Sequence, residues 1–140
     1  MSQSFGLEIE TDLWGKVGIY LCNLLIFAAK IQRMIRPVKQ QDIHFMADIY
    51  NEYVVHGTAT FEEAPLSEEE MDRRVMAISG CFPCLVCEIG ESVVGYCYAH
   101  FWKEYGAYKH TLETTVYLSP DYVGKGIGTL LMKELVAECR

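Results

Sequence analysis

The stretch "TTVYLSPDYVGKGIGTLLMKEL" near the C-terminus constrains this chain most. Thr114 to Leu118 alternate as a strand does, and Gly124, Gly126 and Gly128 then crowd a short loop. Leu130, Leu131, Leu135 and Val136 follow at helical spacing and are expected to form one apolar face. Glycine serves where backbone bends sharply or approaches something closely. A strand passing through such a loop into a helix leaves the first-turn N–H groups, and the positive end of the helix dipole, at the junction. That arrangement can hold a phosphate, and it can equally be a tight turn without a ligand. Two other phosphate motifs fail. A Walker loop needs Ser or Thr after its lysine, whereas Gly126 follows Lys125. A dinucleotide fingerprint needs G-x-G-x-x-G early in a βαβ unit with an acid roughly 20 residues on. Here the spacing is G-x-G-x-G and the chain reaches Arg140 first.

Upstream, the order of elements is legible. "MIRPV" is a short strand, and "DIHFMADIYNEYVVHG" places Ile43, Met46, Ala47, Ile49, Tyr50, Tyr53 and Val54 at helical spacing with Gly57 as the stop. Packing rather than binding is expected of Met46, Tyr50 and Tyr53. "SEEEMDRRVMAI" opens with a capping box between Ser67 and Glu70, and its acids precede its arginines as the helix dipole prefers. "CLVCEI" and "SVVGYCYAHF" flank the turn residues Gly90 and Glu91, a hairpin signal. "TLETTVYLSP" is a further strand. The order is β-α-α-β-β-β-α, which predicts an α/β fold.

A chain of 140 residues, 51% hydrophobic and 22% charged, suits one globular domain with a core of its own. A net charge of −7 argues against nonspecific nucleic-acid binding, which needs a basic face. Cys81, Cys84 and Cys87 have cluster-like spacing, but Glu91 stands where a fourth cysteine is expected. On a strand, Cys84 and Cys87 point to opposite faces, so buried thiols in a reducing cytosol are expected rather than a metal site. His56, His100 and His110 have no metal-ligand spacing and are expected at the surface or in the core. "VGIYLCNLLIFAA" is short for a membrane span, which takes about 20 residues. It also lacks the basic flank and cleavage site of a signal peptide. Residues 1–33 therefore read as an amphipathic extension, a cryptic anchor or sequence from upstream of the true start, and Met34, opening "MIRPVKQQDI" as a natural beginning would, favours the last.

The loop together with the strand before it resembles the acetyl-coenzyme A segment of the GNAT N-acetyltransferase superfamily. "IRPVKQQDIHFMADIYNEYV", "TFEEAP", "FPCLVCEIGESVVGYCYAHFWKEYGAY" and "LETTVYLSP" narrow the resemblance to its phosphinothricin and methionine sulfoximine acetyltransferases. It covers residues 34–140. It implies the acyl-CoA N-acyltransferase fold with a mixed sheet, C-terminally incomplete: relatives continue past the last helix into another strand, a helix and a hairpin. The implied activity is direct transfer of acetyl from acetyl-CoA to the α-amine of a small amino-acid-like substrate, without metal. A cytoplasmic setting, and a homodimer as assembly, are expected with it.

The resemblance assigns residues as well. Glu113, just before the T-V-Y, stands at the position of the general base. Val116, Tyr117 and Leu118 lie where a splayed strand offers main-chain groups to the pantetheine arm. Val123, Gly124, Lys125, Gly126, Ile127, Gly128 and Thr129 form the pyrophosphate loop, with Thr129 beginning the helix proper. Phe61, Lys103 and Tyr108 are expected at the substrate. Val123 replaces the family's Arg or Gln, and Tyr105 stands where relatives often carry Arg. Those departures, with the early chain end, keep a noncatalytic CoA-binding or dimerising fragment open as the alternative. A phosphate-binding module unrelated to acetyl transfer is the remaining one.

Overall fold

The computed structural model describes residues 17–26, 34–57, 60, 62–102 and 111–140. Residues 17–26 are helical with exposed side chains. The domain proper runs β1 (Ile35–Pro37), α1 (Ile43–His56), α2 (Glu68–Ser79), β2 (Cys84–Ile89), β3 (Ser92–Phe101), β4 (Leu112–Leu118) and α3 (Ile127–Glu138), in the order expected. Short 3-10 turns, Gln40–Asp42 and Pro120–Tyr122, lead into α1 and follow β4. The four strands lie in the order β1-β2-β3-β4, each antiparallel to its neighbour, so β4 is an edge among the described residues.

Period-two alternation decides what each face of the sheet buries. Cys84, Val86 and Tyr96 turn toward α1 and α2, where they pack with Met46, Ala47, Tyr50, Met71 and Val75. Leu85, Cys87, Cys97 and Ala99 turn the other way, onto Ile127, Leu131 and Leu135 of α3. The result is a helix–sheet–helix sandwich. Strand β2 is apolar throughout "CLVC" because helices cover both its faces. Cys84 and Cys87 accordingly enter different cores, as their spacing predicts. The face of α3 differs in detail from expectation. Ile127, Leu131 and Leu135 are fully buried, whereas Val136 is 42% exposed. One residue of helix rotates the side chain by about 100°, which carries Val136 off the buried line.

Local chemistry explains the ends of the helices. Ser67 Oγ accepts from the Glu70 N–H at 3.2 Å and starts α2. The carboxylate of Glu70 reaches forward to Arg73 and Arg74. The start of α1 is held by a charge cluster instead. Arg36 on β1 donates to both Asp42 oxygens at 2.7 and 2.9 Å and to Glu88 of β2 at 2.6 Å, and the Lys39 N–H donates to Asp42 at 2.7 Å. Asp42 is 1% exposed. Burial alone would raise its pKa, but the guanidinium and the N–H outweigh burial and hold the carboxyl below its ordinary value. Gly95 faces Leu118 across the β3–β4 ladder, and a Cβ there would run into Leu118 Cδ2 and come within 3.0 Å of Tyr117 O. The missing side chain lets β4 and its following loop pack down on β3.

Candidate active site

The edge strand β4 divides its main-chain groups between two directions. The Ser119 N–H donates to Val94 O at 2.9 Å and the Trp102 N–H to Thr111 O at 3.2 Å. Both pairs continue the β3–β4 register, in which Tyr96 faces Tyr117, Tyr98 faces Thr115 and His100 faces Glu113. Hydrogen-bonded pairs alternate in an antiparallel ladder, so these three pairs spend their main-chain groups on each other. Thr114, Val116 and Leu118 therefore turn N–H and C=O toward the open edge. Tyr53 of α1 reaches that edge and donates from its hydroxyl to Leu118 O at 2.7 Å.

Beyond Leu118 the chain makes its short turn and meets the glycines. Gly124 and Gly126 hold φ of +78° and +81°, the left-handed region where a Cβ is penalised. Gly126 caps α3, which begins at Ile127 rather than at Thr129. The first N–H to find its helical acceptor is that of Leu130, bonded to Gly126 O at 3.2 Å. The N–H groups of Ile127, Gly128 and Thr129 thus have no acceptor within the helix. Lys125 adds a cation beside this turn, its Nζ 4.9 Å from the centre of the Tyr122 ring. A groove of about 680 Å³ runs from the loop along α3 beside β4, lined by Val116, Gly128, Thr129, Met132, Lys133 and Val136. Main-chain donors of an open strand edge and of a helix N-terminus meet along this groove, an arrangement suited to an extended, phosphate-bearing ligand.

The opposite face of β4 carries the titratable groups. Glu113 and His100 stand side by side on β4 and β3, with Glu113 Oε2 at 3.7 Å from His100 Nε2. The other ring nitrogen of His100 lies 2.9 Å from Phe101 O. Both side chains are partly exposed. His100 also lines a cavity of about 300 Å³ between the sheet and helices α1 and α2, whose walls include Met46, Tyr50, Met71, Tyr96 and Tyr98. Tyr117 lies on this face too, its ring 5.3 to 5.5 Å from those of Tyr50, Tyr53 and Tyr96. Burial, reinforced by the neighbouring tyrosines, pushes Tyr117 up to about 12, so it is a neutral phenol near pH 7. Burial also pushes Cys84 and Cys97 up to about 12 and Cys87 up to about 11. Protonated, enclosed thiols are poor nucleophiles.

Residues 43–140 match the acetyltransferase (GNAT) family. The chain belongs to this family. It is 38% identical over 106 residues to the phosphinothricin N-acetyltransferase of Alcaligenes faecalis, covering 75% of this chain and 54% of that protein. With the L-amino acid N-acyltransferase MnaT of Escherichia coli it shares 32% identity over 111 residues, covering 76% of this chain and 62% of that one. Among solved structures, a GNAT superfamily phosphinothricin acetyltransferase from Sinorhizobium meliloti, in complex with AcCoA, superposes with a TM-score of 0.72. Identity there is 40%, covering 75% of this chain and 58% of that one. The chain thus spans less than two thirds of the length of each of these relatives.

Within this GNAT domain the residues expected from sequence fall into separate groups. Val116 and Leu118 turn main-chain groups to the open edge, whereas Tyr117 bonds inward to β3 and sends its ring to the tyrosine cluster. Val123, Gly124, Lys125 and Gly126 form the turn, and Ile127, Gly128 and Thr129 continue it as the first turn of α3, with the Ile127 side chain buried. Glu113 stands on the other face of the same strand. Phe61, Lys103, Tyr105 and Tyr108 lie outside the described residues, as do residues 1–16 and 27–33. Sequence reasoning missed the pairing of His100 with Glu113 and the hydroxyl of Tyr53 at the strand edge. Alternation along both strands puts His100 and Glu113 each on a definite face, but only the hairpin register makes them neighbours.

Proposed function

We propose that this domain is an acetyl-CoA-dependent N-acetyltransferase that acts on the α-amine of a small amino-acid-like substrate of the phosphinothricin, methionine sulfoximine or methionine sulfone type. The observation that carries the reading is the continuity of the open β4 edge with the left-handed glycine turn, with Glu113 on the same strand. The groove along α3 receives the pantetheine and pyrophosphate of acetyl-CoA. Val116 and Leu118 pair with its amide groups as a neighbouring strand would, and the N–H groups of Ile127 to Thr129 hold the phosphates. The relatives' names support the same activity.

The chemistry follows from charge. An ammonium cannot attack a thioester, so its proton must first leave, and Glu113 takes it directly or through one water. The freed nitrogen lone pair forms the new bond to the acetyl carbon, and the carbon–sulfur bond breaks. Negative charge gathering on the carbonyl oxygen is held by main-chain N–H groups of the β4 edge, which are already aimed outward and cost no reorganisation. The nitrogen sheds a second proton as the amide forms, which balances the proton that the departing thiolate takes up to leave as the thiol. The high thiol pKa values of Cys84, Cys87 and Cys97 support direct transfer without an acetyl-cysteine stage. The free cysteines support a reducing, cytoplasmic setting, and no helix among the described residues is long and apolar enough to cross a membrane. A homodimer completes the proposal and is read by sedimentation.

The test is thiol release from acetyl-CoA with phosphinothricin, methionine sulfoximine and methionine sulfone. Glu113→Gln is expected to lower kcat/KM by about 10²- to 10⁴-fold, the usual contribution of a positioned base, with acetyl-CoA affinity unchanged. Acetyl-CoA binding without release on any amine overturns the enzyme. A Glu113→Gln variant with the full rate removes Glu113 as the base.

A further inference from the structure

The cavity between the sheet and helices α1 and α2 lies on the Glu113 face of β4, and its lining has a definite chemical character. Its floor and walls are apolar or aromatic, with Tyr96 at 1%, Met71 at 4% and Cys84 at 4% exposure. Arg74, Ala77 and His100 also line it, and all three reach solvent, which marks the mouth. A volume of about 300 Å³ is at the small end for ligand sites, fit for a side chain rather than a nucleotide. His100 ties the mouth to the chemistry, since its Nε2 is 3.7 Å from Glu113 Oε2.

Among the described residues, the charge at the mouth is already committed. Arg74 Nη2 lies 2.7 Å from Glu62 Oε1, and its Nε lies 3.3 Å from Glu70 Oε1. Its guanidinium carbon also stands 6.0 Å from the centre of the Tyr50 ring. Burial works against the Arg74 charge, and the two carboxylates outweigh that effect. The other lining group able to carry a positive charge is His100, which faces Glu113. Among the described residues, each lining group able to carry a positive charge already faces a carboxylate, Arg74 with Glu62 and Glu70 and His100 with Glu113, so an anionic side chain entering here finds no unpaired one. Leaving such an anion without a partner in an apolar pocket is costly.

From this geometry we propose that the cavity receives the side chain of the amine substrate and selects a neutral, largely apolar one over the anionic phosphinyl group of phosphinothricin. The assignment rests on the acetyltransferase function above and narrows its substrate class. Arg74 serves as a positioning residue that joins α2 to the segment carrying Glu62.

The experiment compares L-methionine, L-methionine sulfone and phosphinothricin as acetyl acceptors, using the full chain and the variants Ala77→Trp and Glu62→Gln/Glu70→Gln. Ala77 is exposed on α2, so the indole closes the mouth without entering the core. The expected result is a kcat/KM for the neutral amines at least about tenfold above that for phosphinothricin, within the range hydrophobic pockets achieve. Ala77→Trp is expected to abolish most of this activity while leaving the acetyl-CoA KM unchanged. Releasing Arg74 by the double substitution is expected to shift the ratio toward phosphinothricin. Phosphinothricin preferred by the unaltered chain, or Ala77→Trp without effect on the neutral amines, overturns the proposal. If no amine is acetylated, the acetyltransferase function fails, and saturation-transfer NMR with the same three compounds still reads the cavity. Contact from L-methionine that is lost in Ala77→Trp sustains the pocket, and no contact overturns it.

Discussion

Replacing Gly126 by Ala isolates the conformational demand of the glycine turn. Gly126 has φ +81° and ψ 0°, and a Cβ built on it meets no atom within 4 Å. The substitution therefore adds no clash, and its cost is that of holding an L-residue left-handed, roughly 1–2 kcal/mol. Alanine also restricts the unfolded chain more than glycine does, which returns roughly 0.4–1 kcal/mol. The net loss is about 1 kcal/mol, close to a fivefold change in an equilibrium constant. That loss surfaces in one of two ways. If the turn keeps its shape, the domain unfolds at lower urea. If the turn relaxes to a right-handed form, the binding-competent conformation becomes a minority and the acetyl-CoA Kd rises by about the same fivefold factor. Urea unfolding and titration calorimetry with acetyl-CoA read both outcomes. Gly126→Asn should recover part of the loss, because Asn tolerates this conformation better than Ala. A Gly126→Ala protein equal to the unaltered chain in both measurements would refute the argument that the left-handed turn is required.

Two further perturbations address the supports of the site. Tyr53→Phe removes the donor at Leu118 O, a hydrogen bond worth about 1 kcal/mol, and should raise the acetyl-CoA KM with kcat unchanged. A loss of stability with an unchanged KM would make Tyr53 merely structural. Asp42→Asn should cost about 3 kcal/mol in urea unfolding at pH 7, the lower end for breaking a buried ion pair, because Glu88 still holds Arg36. The folded carboxyl titrates below its ordinary 3.8, so its stabilisation is complete above that pH and drains away as the pH falls toward the folded value. Asp42→Asn should lack that acid-limb loss. A variant as stable as the unaltered chain at pH 7 would contradict the role given to the cluster.

Local patterns in the chain carried a great deal of this structure. Apolar spacing located α1 and α3, Ser67 and Glu70 marked the start of α2, Gly90 marked the β2–β3 turn, and the spacing of Cys84 and Cys87 foretold their separation into two cores. These signals are short-range: a helix cap, a hairpin turn and a period of two or 3.6 are each written within a few residues. The glycine turn was legible for the same reason, since Gly124 and Gly126 are needed for a conformation that other residues resist. Contacts between distant segments were not legible. The meeting of His100 with Glu113 depends on hairpin register, the reach of Tyr53 to Leu118 O spans 65 residues, and the pairing of Arg74 with Glu62 depends on how α2 faces the segment before it. The sequence by itself determined the elements, their order and the glycine turn. Only the tertiary structure decided which edge of β4 stays open among the described residues, which face carries Glu113, and that Arg74 and His100 beside the cavity already face carboxylates. Those properties belong to the packing of three helices on one sheet, and no local window of residues contains them.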